Sequence, residues 1–428
     1  MGLAVLVSAM MAGTMVPPAA AQDLSGEIRF SWWGSTVRNA KAESIISMFE
    51  KANPGVKVSR EPGEWGSYWD KLTVQSASGN QPCAITMQSR WLAQYADPSI
   101  LQPLDDKVAS GELDVTGIDS AVLDSGRGSD GNLYFIPHGV FYFTLFMNKT
   151  AIEDAGMELP PDDWTWDDYA QYARDLSDKL PEGSYAVGNQ GGAMDTFTDW
   201  VQSHGETLFT PEGEVGFTKQ TVVDYFDFWE ALRKDGVTET ADQMAEIPDN
   251  IIDDTLLANG KILIDARPAN QVDGHQKVLD AAMPGQELVI HSYPVGPSGT
   301  GEDIGSNGLA IGATCDENGT KLTEAWINFF TENPDAAATY SSDNGVVSVD
   351  RFRTAQLENP DTTPGQYQAV NMLSTVGPRA KSAYFPSGGY SALSGALTSA
   401  YETVAFEQSS SADAADKLIA QVKRLVRD

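Results

Sequence analysis

The chain has 428 residues, of which 41% are hydrophobic and 21% charged, so it is long enough for two globular lobes. Its net charge of −32 argues against binding to nucleic acid or anionic lipid, because both need a basic surface. Residues 1–21 carry no charge and end in three alanines. This pattern predicts a cleaved signal peptide and a periplasmic protein.

Strands and helices alternate through the first hundred residues of the sequence. The patterns predict strands over 27–32, 56–58 and 84–87, with helices between them. Such alternation indicates helices packed on a mostly parallel sheet, in which ligands bind beyond the carboxyl ends of the strands. Trp33 and Gln88 fall at such ends. Because side chains alternate along a strand, we expect Trp32 to pack inward and Trp33 to face a cleft.

The middle and end of the chain continue with strands and amphipathic helices. We expect two strands over 133–137 and 140–147, a helix that begins after Thr165, and a strand over 260–264. The glycine-rich segment 294–308 predicts a crossing between lobes. The predicted first lobe is therefore residues 22–138 with 301–334. The second is 139–300 with 335–428.

Aromatic residues are the strongest functional signal in the sequence, with 10 Trp, 14 Tyr and 16 Phe. Sugar rings stack on aromatic faces, and small-molecule clefts combine such walls with a few polar groups. The tryptophans beside polar residues are the candidates for ligand contact: Trp33, Trp65, Trp91 and Trp200. Those on apolar helix stripes are expected in the core: Trp166, Trp229 and Trp326.

Polar candidates complete the predicted site. Gln88, Asp195 and Asn307 would bind sugar hydroxyls. Arginines are scarce in this acidic chain, and each one near a predicted turn either grips an acidic group of a ligand or pairs with a neighbouring carboxylate. The arginines in question are Arg38, Arg90, Arg267 and Arg379.

Enzyme motifs are absent from the sequence. The four histidines show no metal-binding or catalytic spacing, and no nucleophile elbow or phosphate loop occurs. We therefore expect no catalysis, no cofactor and no metal site. Cys83 and Cys315 are either a disulfide, which export would permit, or two buried thiols.

Several segments resemble the family 1 extracellular solute-binding proteins of ABC sugar importers. The matching runs include 32–39 (WWGSTVRN), 45–54 (IISMFEKANP), 68–72 (YWDKL), 164–173 (WTWDDYAQYA) and 324–330 (EAWINFF). The resemblance implies a type II-like periplasmic-binding fold: two α/β lobes with mixed sheets that close on a sugar by a hinge. The paired tryptophans followed by an arginine are similar to a subgroup that binds plant oligosaccharides, including pectin fragments.

We thus expect a monomeric periplasmic protein that captures an oligosaccharide, either neutral or acidic, for an ABC permease. One alternative keeps the scaffold but binds a polyamine or another non-sugar solute, which would need several cleft carboxylates and an aromatic box. The other alternative is a secreted carbohydrate-active enzyme, which would need two facing carboxylates at hydrolase spacing.

Overall fold

The computed structural model describes residues 24–96, 99–246 and 252–426; the predicted signal peptide lies outside them. The strands are β1 Gly26–Trp33, β2 Val56–Gly63, β3 Ala84–Gln88, β4 Phe135–Asn148, β5 Tyr185–Val187, β6 Ile262–Pro268, β7 Leu288–His291, β8 Ile304–Ile311 and β9 Val346–Val347. The helices are α1 Thr36–Ala52, α2 Trp65–Ala77, α3 Leu92–Ala96, α4 Asp105–Ser110, α5 Ser120–Asp124, α6 Lys149–Asp154, α7 Trp166–Ser177, α8 Met194–Ser203, α9 Lys219–Lys234, α10 Ala241–Glu246, α11 Val272–Ala282, α12 Glu317–Glu332, α13 Pro334–Tyr340, α14 Asp350–Glu358, α15 Pro364–Val376, α16 Gly389–Ala405 and α17 Ser411–Leu425.

The strands form a mixed sheet in the order β2-β1-β3-β8-β4-β6-β5, and β7 and β9 also pair with β4. The β1–β2, β1–β3 and β5–β6 pairs are parallel, whereas β8 and β4 run antiparallel to their neighbours. The expectation of a mostly parallel sheet therefore holds only toward the two edges.

Strand β4 connects the two lobes. Its first part, Phe135 to Tyr142, pairs with β8, and its second part, Phe143 to Asn148, pairs with β6 and β7. The prediction of two separate strands here was wrong. The pairing with β8 shifts register between Pro137 and Gly139. The strand therefore bulges next to the proline and does not end there.

The first lobe has an apolar core on each face of its sheet. Trp32 lies in one core, where it stacks on Phe30 and its indole N–H donates to Asn39. Trp33 lies in the other, against helix α2. The two rings therefore lie on opposite faces of the sheet, as predicted. The expectation that Trp33 faces a cleft was wrong, because its ring is 4% exposed and is packed among Trp65, Tyr68 and Trp69. Trp326, expected in the core, is fully buried in the first of these clusters.

The second lobe is built around one large core that combines helices α7, α8, α9, α16 and α17 with strands β4 and β6. Trp166 and Trp229 are buried there, as their positions on apolar helix stripes predict. Helix α7 begins with a reciprocal capping box between Thr165 and Asp168, in which each side chain satisfies a backbone N–H of the other.

Helix α13 comes directly after the predicted end of the first lobe. It packs on α1 and α12, and its Ala336 and Tyr340 belong to the first-lobe core. The predicted boundary at residue 334 falls immediately before this helix, so we propose that the first lobe continues to Tyr340.

Cys83 and Cys315 form a disulfide that joins the residue before β3 to the loop after β8, with Cα atoms 5.5 Å apart. The sequence left open a disulfide or two buried thiols, and the structure contains the disulfide. No helix in the described ranges has the length and hydropathy needed to cross a bilayer.

Candidate functional site

The turn after β3 carries Arg90 into the junction between the lobes. Residues Ser89–Trp91 form a single tight helical turn directly after Gln88. Arg90 is 8% exposed. Its Nη2 atom lies 2.6 Å from Asp195 Oδ1 on α8 and 3.2 Å from Asp303 Oδ2 just before β8. The Arg90–Asp195 ion pair thus joins the first lobe to the second.

Three aromatic rings surround the same guanidinium. The Arg90 Cζ atom lies 4.9 Å from the ring centroid of Phe141, 5.3 Å from that of Phe143 and 5.3 Å from that of Tyr390. Ring faces attract cations electrostatically, and the attraction grows as water is excluded. Arg90 therefore sits in a box made of three rings and two carboxylates, which we call the Arg90 box.

Helix α8 brings a second carboxylate to this junction. Asp199 lies one helical turn after Asp195, so both project from one face. Asp199 is 2% exposed, and neither carboxylate oxygen has a hydrogen-bond partner among the described residues. Burial, with Glu302 and Asp303 nearby, raises the pKa of Asp199 well above its usual range. Burial also raises the pKa of Asp195, although Arg90 opposes the shift.

Tryptophan rings form a wall beside the Arg90 box. The Trp33 ring lies 5.1 Å from Trp65 and 5.4 Å from Trp69. Trp69 in turn stacks on Trp91, with ring centroids 4.6 Å apart. The far end of the wall reaches the second lobe, because Trp91 lies 6.1 Å from Tyr390. Three of the four predicted ligand-contacting tryptophans are thus connected through Trp69.

Gln88 and Asn307 meet where β3 pairs with β8. The two residues are directly opposite in register, and Gln88 Nε2 donates to Asn307 Oδ1 at 3.1 Å. Asn307 Nδ2 donates to the carbonyl oxygen of Asn344 at 3.0 Å. The two predicted hydroxyl-binding amides therefore lie side by side, at the strand end from which Arg90 and Trp91 project.

Some donors at the junction have no acceptor. Trp91 Nε1 and Arg90 Nε are both buried without a hydrogen-bond partner in the described part of the chain. The two Asp199 oxygens, one turn along α8 from Asp195, also have no partner there. Buried polar groups normally have partners, and a ligand or solvent bound at the junction would satisfy these atoms.

The other predicted arginines are each paired with an acid of the protein. Arg38 Nε donates to Asp343 at 3.1 Å, and Arg267 Nε donates to Asp265 at 2.8 Å. Arg379 donates from Nε and Nη2 to the two Glu302 oxygens at 2.6 and 2.7 Å. None of the three contacts the Arg90 box directly. Of the two roles expected for these arginines, the structure displays the ion pair.

Trp200 lies away from the other predicted site residues. It is part of the second-lobe core, packed on Trp166, Tyr225 and Phe228, and its Nε1 donates to the Thr221 carbonyl oxygen at 3.2 Å. Both faces and the N–H are used inside the lobe, so we leave Trp200 out of the proposed site.

A profile of the family described as bacterial extracellular solute-binding protein matches residues 44–351. The chain belongs to this family. The resemblance noted in the sequence is thereby confirmed, and the family is one of extracellular, periplasmic binding proteins. A binding protein of Brucella abortus (strain 2308) is 22% identical to this solute-binding protein over 355 residues, which cover 80% of each sequence.

Solved structures share the fold of this solute-binding protein. The GacH receptor of Streptomyces glaucescens matches with a TM-score of 0.77 at 18% identity, over 95% of this chain and 99% of the receptor. A periplasmic oligogalacturonide-binding protein from Yersinia enterocolitica matches with a TM-score of 0.78 at 18% identity, over 94% and 98% of the two chains. The two-lobed α/β architecture is thus confirmed.

Sequence reasoning missed several groups that surround Arg90 in this solute-binding protein. Asp303 was hidden among 60 acidic residues, and Tyr390 follows two glycines at the start of α16 with no distinctive pattern. Phe141 and Phe143 had a usable signal, because residues two apart on a strand share a face. That face points at the turn after β3.

Proposed function

We propose that this protein captures a carbohydrate, most simply an oligosaccharide, between its lobes and delivers it to the permease of an ABC importer in the periplasm. It acts as a monomer and performs no catalysis. The site comprises Trp65 and Trp91 as ring surfaces, Gln88 and Asn307 as amides, and the charged groups around Arg90. The buried ring of Trp33 supports Trp65 from the core of the first lobe. We further propose that Arg38, Arg267 and Arg379 support the site through their ion pairs.

The observation that carries this proposal is the combination of unsatisfied polar atoms and ring faces at the junction. Trp91 Nε1 and Arg90 Nε need acceptors. The Asp199 carboxyl group, whose raised pKa favours the protonated form, needs an acceptor for its O–H and a donor for its other oxygen. A hydroxyl group both donates and accepts, and a sugar carries several hydroxyls around an apolar face. One polyol ring could therefore satisfy both kinds of atom while it stacks on an indole.

Two proteins of the same fold bind ligands of this class. The GacH receptor has been solved with acarbose and an acarbose homologue, and the Yersinia protein with saturated digalacturonic acid. Both ligands support a carbohydrate as the ligand of this chain.

A ligand screen tests the proposal. The purified mature protein is melted with neutral oligosaccharides, uronates, amino sugars and spermidine, and hits are measured by calorimetry. A ligand at 100 times its Kd should add about 2.7 kcal/mol to the free energy of unfolding. If no sugar raises the melting temperature while spermidine does, the proposal fails and the non-sugar alternative stands.

The enzyme alternative is tested on the same samples. Any oligosaccharide that binds is incubated with the protein for a day, and its products are separated by chromatography. We expect the oligosaccharide to be recovered intact. Turnover that disappears in the Asp195→Asn variant would instead support a carbohydrate-active enzyme.

A further inference from the structure

We propose that the ligand carries a positively charged group, a protonated amine or a guanidine, and that this group occupies the Arg90 box when the ligand is bound. This inference rests on the proposed function, since it specifies the charge of the sugar. It makes an amino sugar, rather than a uronate, the preferred ligand class.

The arginine inventory argues against an acidic ligand. Arg38, Arg267 and Arg379 each bind a carboxylate of the protein, as described above. Arg90 already faces two carboxylates, Asp195 and Asp303. A ligand carboxylate would have to displace one of these acids and would still lie beside it, which like-charge repulsion opposes.

Carboxylates outnumber guanidiniums at the junction. Four acids lie there: Asp195, Asp199, Glu302 and Asp303. Arg379 neutralises Glu302 through two hydrogen bonds, which leaves two acids, Asp195 and Asp303, around the single charge of Arg90. Asp199 adds a buried carboxyl group whose raised pKa favours the protonated form and whose two oxygens have no hydrogen-bond partner in the described ranges. A donor-rich cation is the group that would complete this set.

The aromatic rings point to the same class of ligand. Phe141, Phe143 and Tyr390 present faces within 5.3 Å of a guanidinium carbon, so the box accommodates a cationic group of that size. An aromatic box with carboxylates at its rim is a recognised way to bind ammonium and guanidinium groups. Here the protein's own side chain demonstrates that the box takes a cation.

The two lobes contribute different halves of the box. Arg90 projects from the first lobe, whereas Asp195 and Tyr390 belong to helices α8 and α16 of the second lobe. Separation of the lobes would therefore withdraw the guanidinium and leave Asp195 near the Tyr390 ring. A ligand cation then competes with Arg90 for this half-site, so removal of the arginine charge should strengthen binding of the cation.

Calorimetry with a matched set of probes tests the inference. The probes are a glucosamine trisaccharide, its N-acetylated counterpart, a trigalacturonide and spermidine, each titrated into the mature protein. We expect the glucosamine trisaccharide to bind at least tenfold more tightly than the N-acetylated one, and Asp195→Asn to bring that ratio close to one. Arg90→Gln should increase the affinity for the glucosamine trisaccharide.

Controls keep the result interpretable. Asp416→Asn removes a carboxylate from an exposed position on α17 of the same lobe, and it should leave the ratio of affinities unchanged. Each variant is melted first, and Asp303→Asn replaces Asp195→Asn if the latter does not fold.

The outcomes separate this inference from the proposed function. If the N-acetylated sugar or the trigalacturonide binds as tightly as the amino sugar, the charge preference is overturned while carbohydrate capture stands. If spermidine binds and none of the sugars does, both the proposed carbohydrate function and the inferred preference for an amino sugar are overturned. Failure of all four probes in the folded protein counts against both.

Discussion

The indole rings of Trp69 and Trp91 stack with their centroids 4.6 Å apart and their planes 7° apart. Trp69 belongs to α2, whereas Trp91 ends the turn after β3. One face of Trp91 is therefore occupied inside the first lobe. The ring edge and the unpartnered N–H remain for contacts at the lobe junction, where Tyr390 is the neighbouring ring.

Replacement of Trp91 should separate binding from folding. We expect Trp91→Ala to weaken sugar binding at least tenfold, since it removes a ring surface and a hydrogen-bond donor worth about 1 to 3 kcal/mol together. Calorimetry of the variant checks this. The control is Trp200→Phe, which alters a core ring and should lower the melting temperature without changing the affinity of the folded protein. Equal affinity of Trp91→Ala and the wild type would remove Trp91 from the site.

Loss of the disulfide should destabilise the first lobe. The bond closes a loop across a sequence separation of 232 residues, so its removal increases the entropy of the unfolded chain. We expect the double substitution Cys83→Ala and Cys315→Ala to cost about 2 to 5 kcal/mol of unfolding free energy, measured by urea denaturation. A reductant should destabilise the wild type by a similar amount and leave the double variant unaffected; a stable double variant would refute this.

Glu239 should make stability depend on pH. The side chain is buried, both of its oxygens accept the N–H of Asn189, and burial raises its pKa from 4.5 to about 7. Between pH 4.5 and 7 the folded protein keeps a proton that the unfolded chain has lost. The contribution of Glu239 to stability therefore falls as the pH rises through this window, by on the order of 3 kcal/mol in total.

The matching experiment is urea denaturation of Glu239→Gln at several pH values from 4.5 to 8. Relative to the wild type, the variant should gain stability as the pH rises. Glu402→Gln, on an exposed position of α16, controls for the loss of one carboxylate. A Glu239→Gln difference that does not vary with pH would contradict the assignment.

A methyl group at Gly301 should disturb the segment that leads into β8. A Cβ atom there would collide with the carbonyl oxygen of Asp199 on α8 and come within 2.8 Å of the Ser203 nitrogen. We expect Gly301→Ala to cost about 1 to 3 kcal/mol, as overpacking of a core does. At Gly395 in α16 no atom lies within 4 Å of the added carbon. There Gly395→Ala should stabilise the protein by about 0.5 to 1 kcal/mol. If both substitutions change the free energy of unfolding by the same amount, the close contact of Gly301 with α8 would be contradicted.

Local patterns predicted most of the elements because each depends on near neighbours in the chain. The stripe Ala42, Ile45, Ile46 and Phe49 is the buried face of α1, and Thr165 caps α7 as expected. The junction was harder to predict, since Arg90 and Asp195 are 105 positions apart and meet only through the packing of two lobes. Whether an arginine binds a ligand or an internal acid depends on such distant contacts, and no local pattern records them.

The late position of β8 in the chain has a consequence for the order in which the chain can fold. The first-lobe sheet needs β8, which ends at Ile311, so about three quarters of the 428 residues must be present before that sheet is complete. Pairings between such distant segments form slowly, because a long loop must close first. A chain leaving the ribosome would therefore expose the unpaired edge of β3 until the second lobe had been synthesised.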